Sequence, residues 1–208
     1  MKAFDNPGKS CIRRAALAAA IVLTTFLAHL HGDVTVLASE KIPLEGSLLP
    51  EMKLPVPQKE DEISYLGIKQ KDTFKIPQIK AELVIIEVFS MYCPFCQKEA
   101  PAVNQLHQAI SANQDLKDRV KMVGIGAGNS TFEVNTFRKH YSVPFPLLPD
   151  ADYKIHNALG QPRTPFFIVV KLSPNGSHNI VYSKVGTFGD PNEFLDLLLK
   201  KAKMKQGG

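Results

Sequence analysis

The run ELVIIEVFS, residues 82–90, constrains the fold more than any other part of the chain. Apolar side chains occupy both its odd and its even positions, which is typical of a central strand that is covered on both faces. The run leads directly into MYCPFC, and beyond it Val103, Leu106 and Ile110 recur at helical spacing. We therefore expect an α/β fold in which helices cover both faces of a central β-sheet.

Two further segments extend this sheet on the same reasoning. VKMVGIGA, residues 120–127, is predicted as a second strand, and Ser130 with Glu133 forms the capping box of the helix that follows it. EISYLGI, residues 62–68, is also predicted as a strand. The sheet thus begins as alternating strands and helices.

The last third of the chain predicts a hairpin and a closing helix. FFIVVKL, residues 166–172, and NIVYSKV, residues 179–185, flank an Asn-Gly turn signal at Gly176. These two strands should pair antiparallel, which makes the predicted sheet a mixed one. Asp190 followed by proline is a helix start, and we expect a helix from there to the end of the domain.

The N-terminal 38 residues differ in composition from the rest of the chain. Four basic residues precede an apolar run over residues 15–30, and small residues lead up to Ala38 and Ser39. This layout predicts a secretory signal peptide over residues 1–38, or an uncleaved N-terminal membrane anchor. The protein is then extracytoplasmic.

Three segments are therefore expected. Residues 1–38 form the signal peptide or anchor, residues 39–62 form an extended, proline-rich entry segment, and residues 63–208 form the globular domain. Removal of residues 1–38 lowers the formal charge from +5 to +3, which is too mild to suggest a nucleic-acid partner.

The shortened chain retains two cysteines, Cys93 and Cys96. A zinc ribbon needs a second ligand pair, and a covalent haem needs a histidine directly after Cys96, where Gln97 stands. We therefore expect neither a metal nor another cofactor. Cys93 lies where a strand gives way to a helix, and the unpaired amides and the dipole of a helix N-terminus stabilise a thiolate there. Cys96, one turn further, is placed to attack a mixed disulfide formed at Cys93, which is dithiol exchange.

The chain resembles the TlpA-like and ResA-like extracytoplasmic thiol-disulfide oxidoreductases of the thioredoxin fold from about residue 46 onward. The resemblance rests on CPFC after a strand, CQKEAP, VPFPLLPDAD, RTPFF, the PNG turn and KVGTF. It implies a cis Pro165 that faces the CPFC motif and a Thr164 whose backbone pairs with the substrate. It also implies substrate contacts for Tyr92, Pro94 and Phe95. Tyr92 stands where the family usually has tryptophan.

The resemblance also suggests the partners and the compartment. The partners are protein thiols and disulfides, together with a membrane thiol reductase or another redox partner. The compartment is the bacterial periplasm or the outer face of the cytoplasmic membrane.

Two acidic residues are further candidates. Glu87 lies six residues before Cys93, and strand alternation places it on the face of Ile85 and Phe89, where its carboxyl should be desolvated. We expect Glu87 either to help deprotonate Cys96 through a water molecule or to be an edge-facing or salt-bridged carboxylate without a role. Glu99 is either a modulator of the thiols or an exposed helix residue without a role.

The alternatives to dithiol exchange fit the sequence less well. A structural disulfide between Cys93 and Cys96 would close too small a loop to constrain the unfolded chain. A peroxiredoxin motif would match Ser90 but needs proline where Ile86 stands. A copper-binding module of the same fold would have His178 as its only tempting third ligand. We therefore predict a thiol-disulfide oxidoreductase that acts on protein substrates.

Overall fold

A computed structural model describes residues 42–174 and 176–204. Its centre is a five-stranded sheet of order β5-β4-β3-β6-β7. The strands are β3 (Leu83–Phe89), β4 (Val120–Ala127), β5 (Leu147–Asp150), β6 (Phe166–Leu172) and β7 (His178–Val185). β3, β4 and β5 are parallel, whereas β6 runs antiparallel to β3 and to β7. The central strand, the mixed sheet and the hairpin are confirmed.

The helices are α1 (Glu60–Leu66), α2 (Pro94–Ala112), α3 (Thr131–Tyr141), α4 (Lys154–Ala158) and α5 (Pro191–Ala202). The predicted capping box of α3 is present, because Ser130 accepts from the Glu133 amide and Glu133 accepts from the Ser130 amide. Asp190 caps α5 by accepting from the amides of Asn192 and Glu193. Among the described residues, no helix is long and apolar enough to cross a membrane. The segment predicted over residues 1–38 lies outside the described residues.

Both faces of the sheet are covered, as the apolar residues at odd and even positions of β3 predict. Leu83, Ile85 and Phe89 pack on one side with side chains of α2, α3 and α5. Val84, Ile86 and Val88 pack on the other side with α1, α4 and the chain that leads into the domain. The apolar positions of β3 are thus divided between two cores, and both sets are fully buried.

EISYLGI is a helix rather than the predicted strand. α1 begins with Glu60, Asp61 and Glu62, whose charges favour a helix N-terminus, and it ends at Gly67 with a positive φ of 64°. Ile63 and Leu66 lie three residues apart and pack together with the second core. A short apolar run of this kind is compatible with a strand or a helix, and here the acidic first turn and the Gly67 cap favour the helix.

The entry segment, predicted to extend to residue 62, ends earlier in the structure, because residues 60–62 belong to α1. Its edge strand is present as β1 (Leu54–Pro55), which pairs antiparallel with β2 (Thr73–Phe74). A short 3₁₀ turn, Ile76–Gln78, follows β2.

Candidate active site

The end of β3 and the start of α2 place the two cysteines. Cys93 is the N-cap residue of α2, and its amide donates to the Ser90 carbonyl at 3.0 Å. Pro94 occupies the first helical turn, where a missing N–H has no helical partner to lose. Both cysteines are free thiols; Cys93 is partly exposed and Cys96 is fully buried.

The two thiols differ in acidity for physical reasons. Partial burial would raise the pKa of Cys93, but hydrogen bonds from the Thr164 side chain, from the amides of Cys96 and Phe95 and from the Cys96 thiol outweigh it and lower the pKa. Burial raises the pKa of Cys96 above that of an ordinary thiol, and the charge of Glu87 adds to this effect. Cys93 is therefore the more readily ionised and the more accessible sulfur.

The start of β6, next to β3 in the sheet, brings Thr164 and Pro165 to Cys93. The bond between Thr164 and Pro165 is cis, as the resemblance implies. The Cys93 thiol donates to the Thr164 carbonyl at 3.3 Å. The Pro165 carbonyl accepts from the Gly186 amide at 2.8 Å, which ties this loop to the end of β7. The pairing of Thr164 with a substrate backbone stays a prediction.

Glu87 lies where the strand pattern predicts. It is 4% exposed in the middle of β3, and burial, followed by the charges of Glu99 and Cys93, raises its pKa to about 8. The charge of Cys93 helps to raise the pKa of Glu87, and the charge of Glu87 helps to raise the pKa of Cys96. The carboxyl therefore interacts electrostatically with the CPFC motif.

Glu99 is buried, at 7% exposure, so the expectation of an exposed helix residue is wrong. Its carboxylate accepts from the Phe188 amide at 3.0 Å, and this joins α2 to the loop before α5. Burial raises the pKa of Glu99, while the bond from Phe188 partly opposes the shift. Two buried carboxyls therefore lie close to the dithiol.

Tyr92 and Phe95 are exposed on either side of Cys93, at 66% and 67%. The Tyr92 hydroxyl donates to Glu133 in the first turn of α3. Phe95 has no such polar anchor. The surface around Cys93 thus offers aromatic contacts to a partner molecule.

The sequence reasoning missed the residues that hold the turn before Cys93. The Met91 amide donates to the Asn129 side chain at 2.8 Å, and the Met91 carbonyl accepts from the Gln97 side chain at 2.7 Å. Asn129 is fully buried at the exit of β4. The contact between Met91 and Asn129 could have been predicted from the parallel pairing of β3 with β4, because this pairing places the ends of both strands side by side.

His178, the candidate third copper ligand, is far from the cysteines. It pairs with Leu172 at the end of the sheet where β3 begins, whereas Cys93 follows the end of β3. The seven residues of β3 separate these ends by roughly 20 Å. No group of three or more His, Cys, Asp or Glu side chains in the described part of the chain is arranged to hold a metal ion.

Solved structures show the same fold. The putative thiol:disulfide interchange protein DsbE of Chlorobium tepidum is 16% identical with a TM-score of 0.57, covering 77% of this chain and 99% of its own. A putative protein disulfide isomerase of Bacteroides thetaiotaomicron is 17% identical with a TM-score of 0.57, covering 80% and 93%. The thioredoxin domain of a thiol-disulfide oxidoreductase of Bacteroides vulgatus is 13% identical with a TM-score of 0.54, covering 74% and 98%.

At these identities the likeness shows the fold, which is the thioredoxin fold. No curated protein matches the chain in sequence. The model of the AhpC/TSA family matches residues 46–182, more than half of the chain, and it includes both cysteines. The chain therefore belongs to the AhpC/TSA family.

Proposed function

We propose that this protein is a thiol-disulfide oxidoreductase that exchanges disulfides with protein substrates through Cys93 and Cys96. The observation that carries the proposal is the division between the two thiols. Cys93 is accessible and has a lowered pKa, whereas Cys96, one helical turn away, is buried and has a raised pKa. This division suits an attacking thiol and a resolving thiol.

The exchange proceeds in two steps. The Cys93 thiolate attacks one sulfur of a substrate disulfide, which forms a mixed disulfide and releases the other substrate sulfur as a thiolate. Cys96 then loses its proton and attacks the Cys93 sulfur, which closes the Cys93–Cys96 disulfide and releases the second substrate thiolate. Two electrons pass from the dithiol to the substrate, and the reverse sequence oxidises a substrate dithiol.

Glu87 is the proposed acceptor of the Cys96 proton, through an intervening water. Its raised pKa, about 8, lies near neutral pH, so the carboxylate form is accessible and still basic enough to take a proton. Glu99 is the proposed modulator, since its charge contributes to the pKa of Glu87.

The remaining contacts complete the proposal. The backbone of Thr164, next to Pro165, would pair with an extended substrate segment, and Tyr92, Pro94 and Phe95 would contact its side chains. A membrane thiol reductase or another redox partner would restore the dithiol. The location proposed is extracytoplasmic, in the periplasm or at the outer face of the cytoplasmic membrane, in keeping with the N-terminal pattern of the sequence.

Trapping of mixed disulfides tests the division of roles. With disulfide-containing protein substrates, Cys96→Ser should accumulate mixed disulfides, because its Cys93 thiolate attacks but nothing resolves the product. Cys93→Ser should accumulate none. Equal trapping by both variants would overturn the assignment.

Peroxide reduction is the rival activity, and a parallel assay separates it. The reduced protein should reduce a peptide disulfide much faster than it consumes hydrogen peroxide at equal concentration. A faster reaction with peroxide would make the protein a peroxidase instead.

A further inference from the structure

The solvent-facing side of α3 continues the surface around Cys93. Phe132, Asn135, Thr136, Lys139 and His140 recur every three to four residues, and all are exposed. They line one open depression. Phe132 is 79% exposed, the highest value among the large hydrophobic side chains of residues 42–174 and 176–204. We call these five residues the α3 surface.

The α3 surface is fixed relative to the reactive thiol by side-chain contacts. Tyr92, directly before Cys93, donates to Glu133, the neighbour of Phe132. Asn129, two residues before α3, accepts from the Met91 amide. A molecule that rests on α3 would therefore hold its own atoms at a defined distance from Cys93.

The charge of this surface is positive toward the end of α3. Lys139 forms no ion pair with any other described residue. Residues 134–149 contain no acidic side chain. Glu133, the acidic residue of α3, forms hydrogen bonds with Ser130 and Tyr92 at the N-terminal end of the helix. The α3 surface thus offers an apolar contact at Phe132 and, further along the same helix face, a cationic contact at Lys139.

The distance between Phe132 and Lys139 indicates what kind of partner segment could contact both residues. Phe132 and Lys139 are seven residues apart on the helix, which is about 10 Å along its axis. An extended chain in the polyproline II conformation covers about 9 Å in three residues, and it brings the side chains of residues i and i+3 onto the same face. We propose that the α3 surface is a docking site for an extended segment of the partner protein, with an apolar side chain on Phe132 and a carboxylate three residues away on Lys139. This proposal rests on the proposed function, since it names which disulfides are exchanged.

Synthetic peptide disulfides test the docking site. One peptide carries phenylalanine and, three residues further from its cysteine, aspartate; matched peptides replace phenylalanine with serine or aspartate with lysine. Hydroxyethyl disulfide serves as a probe too small to reach α3. The measured quantity is the second-order rate constant for oxidation of the reduced protein.

The expected differences follow from burial and from charge. The phenylalanine peptide should react about tenfold faster than its serine counterpart, and Phe132→Ser should remove this preference. The aspartate peptide should react about threefold faster than the lysine peptide, Lys139→Glu should reverse this order, and 0.5 M salt should weaken it. Hydroxyethyl disulfide should react equally with all forms of the protein.

The control variants are Leu197→Ser and Lys200→Glu, which change an exposed leucine and an exposed lysine of α5. They should keep the preferences of the unaltered protein. Equal rates for all peptides would overturn the docking site while leaving disulfide exchange intact. Failure of the unaltered protein to react with any disulfide, including hydroxyethyl disulfide, would instead overturn the proposed function.

Discussion

Replacement of Glu87 by glutamine should change how the stability of the protein depends on pH. Glu87 is 4% exposed, and its surroundings raise its pKa from 4.5 to about 8. Below pH 4.5 the carboxyl is protonated in both the folded and the unfolded chain. As the pH rises, the unfolded chain ionises first, so the free energy of unfolding falls until the folded carboxyl ionises near pH 8.

The size of the effect follows from the same two values. A tenfold change in proton affinity corresponds to about 1.4 kcal/mol. The interval from 4.5 to about 8 therefore gives a loss of roughly 5 kcal/mol over that range. Since glutamine does not titrate, the difference in unfolding free energy between the unaltered protein and Glu87→Gln should fall by about 1.4 kcal/mol per pH unit.

Urea denaturation of the reduced proteins at pH 5, 6, 7 and 8 measures this difference. Glu82→Gln is a suitable control, because the hydrogen bond from Arg119 lowers the pKa of Glu82. Its contribution is complete above its ordinary pKa and is lost only in acid, so its difference should stay constant from pH 6 to pH 8. A constant difference for Glu87→Gln over this range would refute the raised pKa and remove the basis for proton transfer to this residue.

Four further predictions concern the chemistry of the thiols. A thiol-alkylating reagent at pH 7 should modify Cys93 well before Cys96, and mass spectrometry of the peptides would show the reverse order if the roles are exchanged. In single-turnover experiments Glu87→Gln should slow closure of the disulfide, with little change in the first attack; an unchanged pH profile for closure would exclude the proton transfer. Thr164→Val should raise the pKa of Cys93, seen as a shift of the alkylation midpoint to higher pH, because it removes a hydrogen bond to the thiolate. Asn129→Leu should slow exchange by about tenfold while Asn129→Asp, which keeps the acceptor, should retain more of the rate; equal losses would argue against positioning through the Met91 amide.

The site was predictable where one local pattern decides the structure. Because β3 is apolar on both faces and leads directly into CPFC, the sequence places Cys93 at a helix N-terminus. The alternation of side chains along β3 places Glu87 in the core. The burial of Glu99 was also within reach. It lies three residues after Cys96 and four before Val103, on the buried side of α2.

Other features depend on contacts that no local pattern contains. The bond between Met91 and Asn129 joins residues 38 positions apart, and it forms only because β3 and β4 end side by side. The helix α1 shows the opposite difficulty, since its local pattern is compatible with two structures. There the acidic first turn and Gly67 carry the information, rather than the apolar residues.

The position of Glu87 is itself an argument for a role in exchange. A cost of roughly 3 kcal/mol at pH 7, rising to roughly 5 kcal/mol at pH 8, is large beside the total stability of a typical domain, which is about 5–15 kcal/mol. Ile85 and Phe89 point to the same core, and an apolar side chain at position 87 would pack there without this cost. A buried carboxyl with a pKa of about 8 is useful where a proton must leave another buried group, and Cys96 is such a group. If Glu87→Gln both stabilises the protein at pH 8 and slows closure of the disulfide, stability and exchange are opposed at this one residue, which is the result expected if the carboxylate takes up the Cys96 proton.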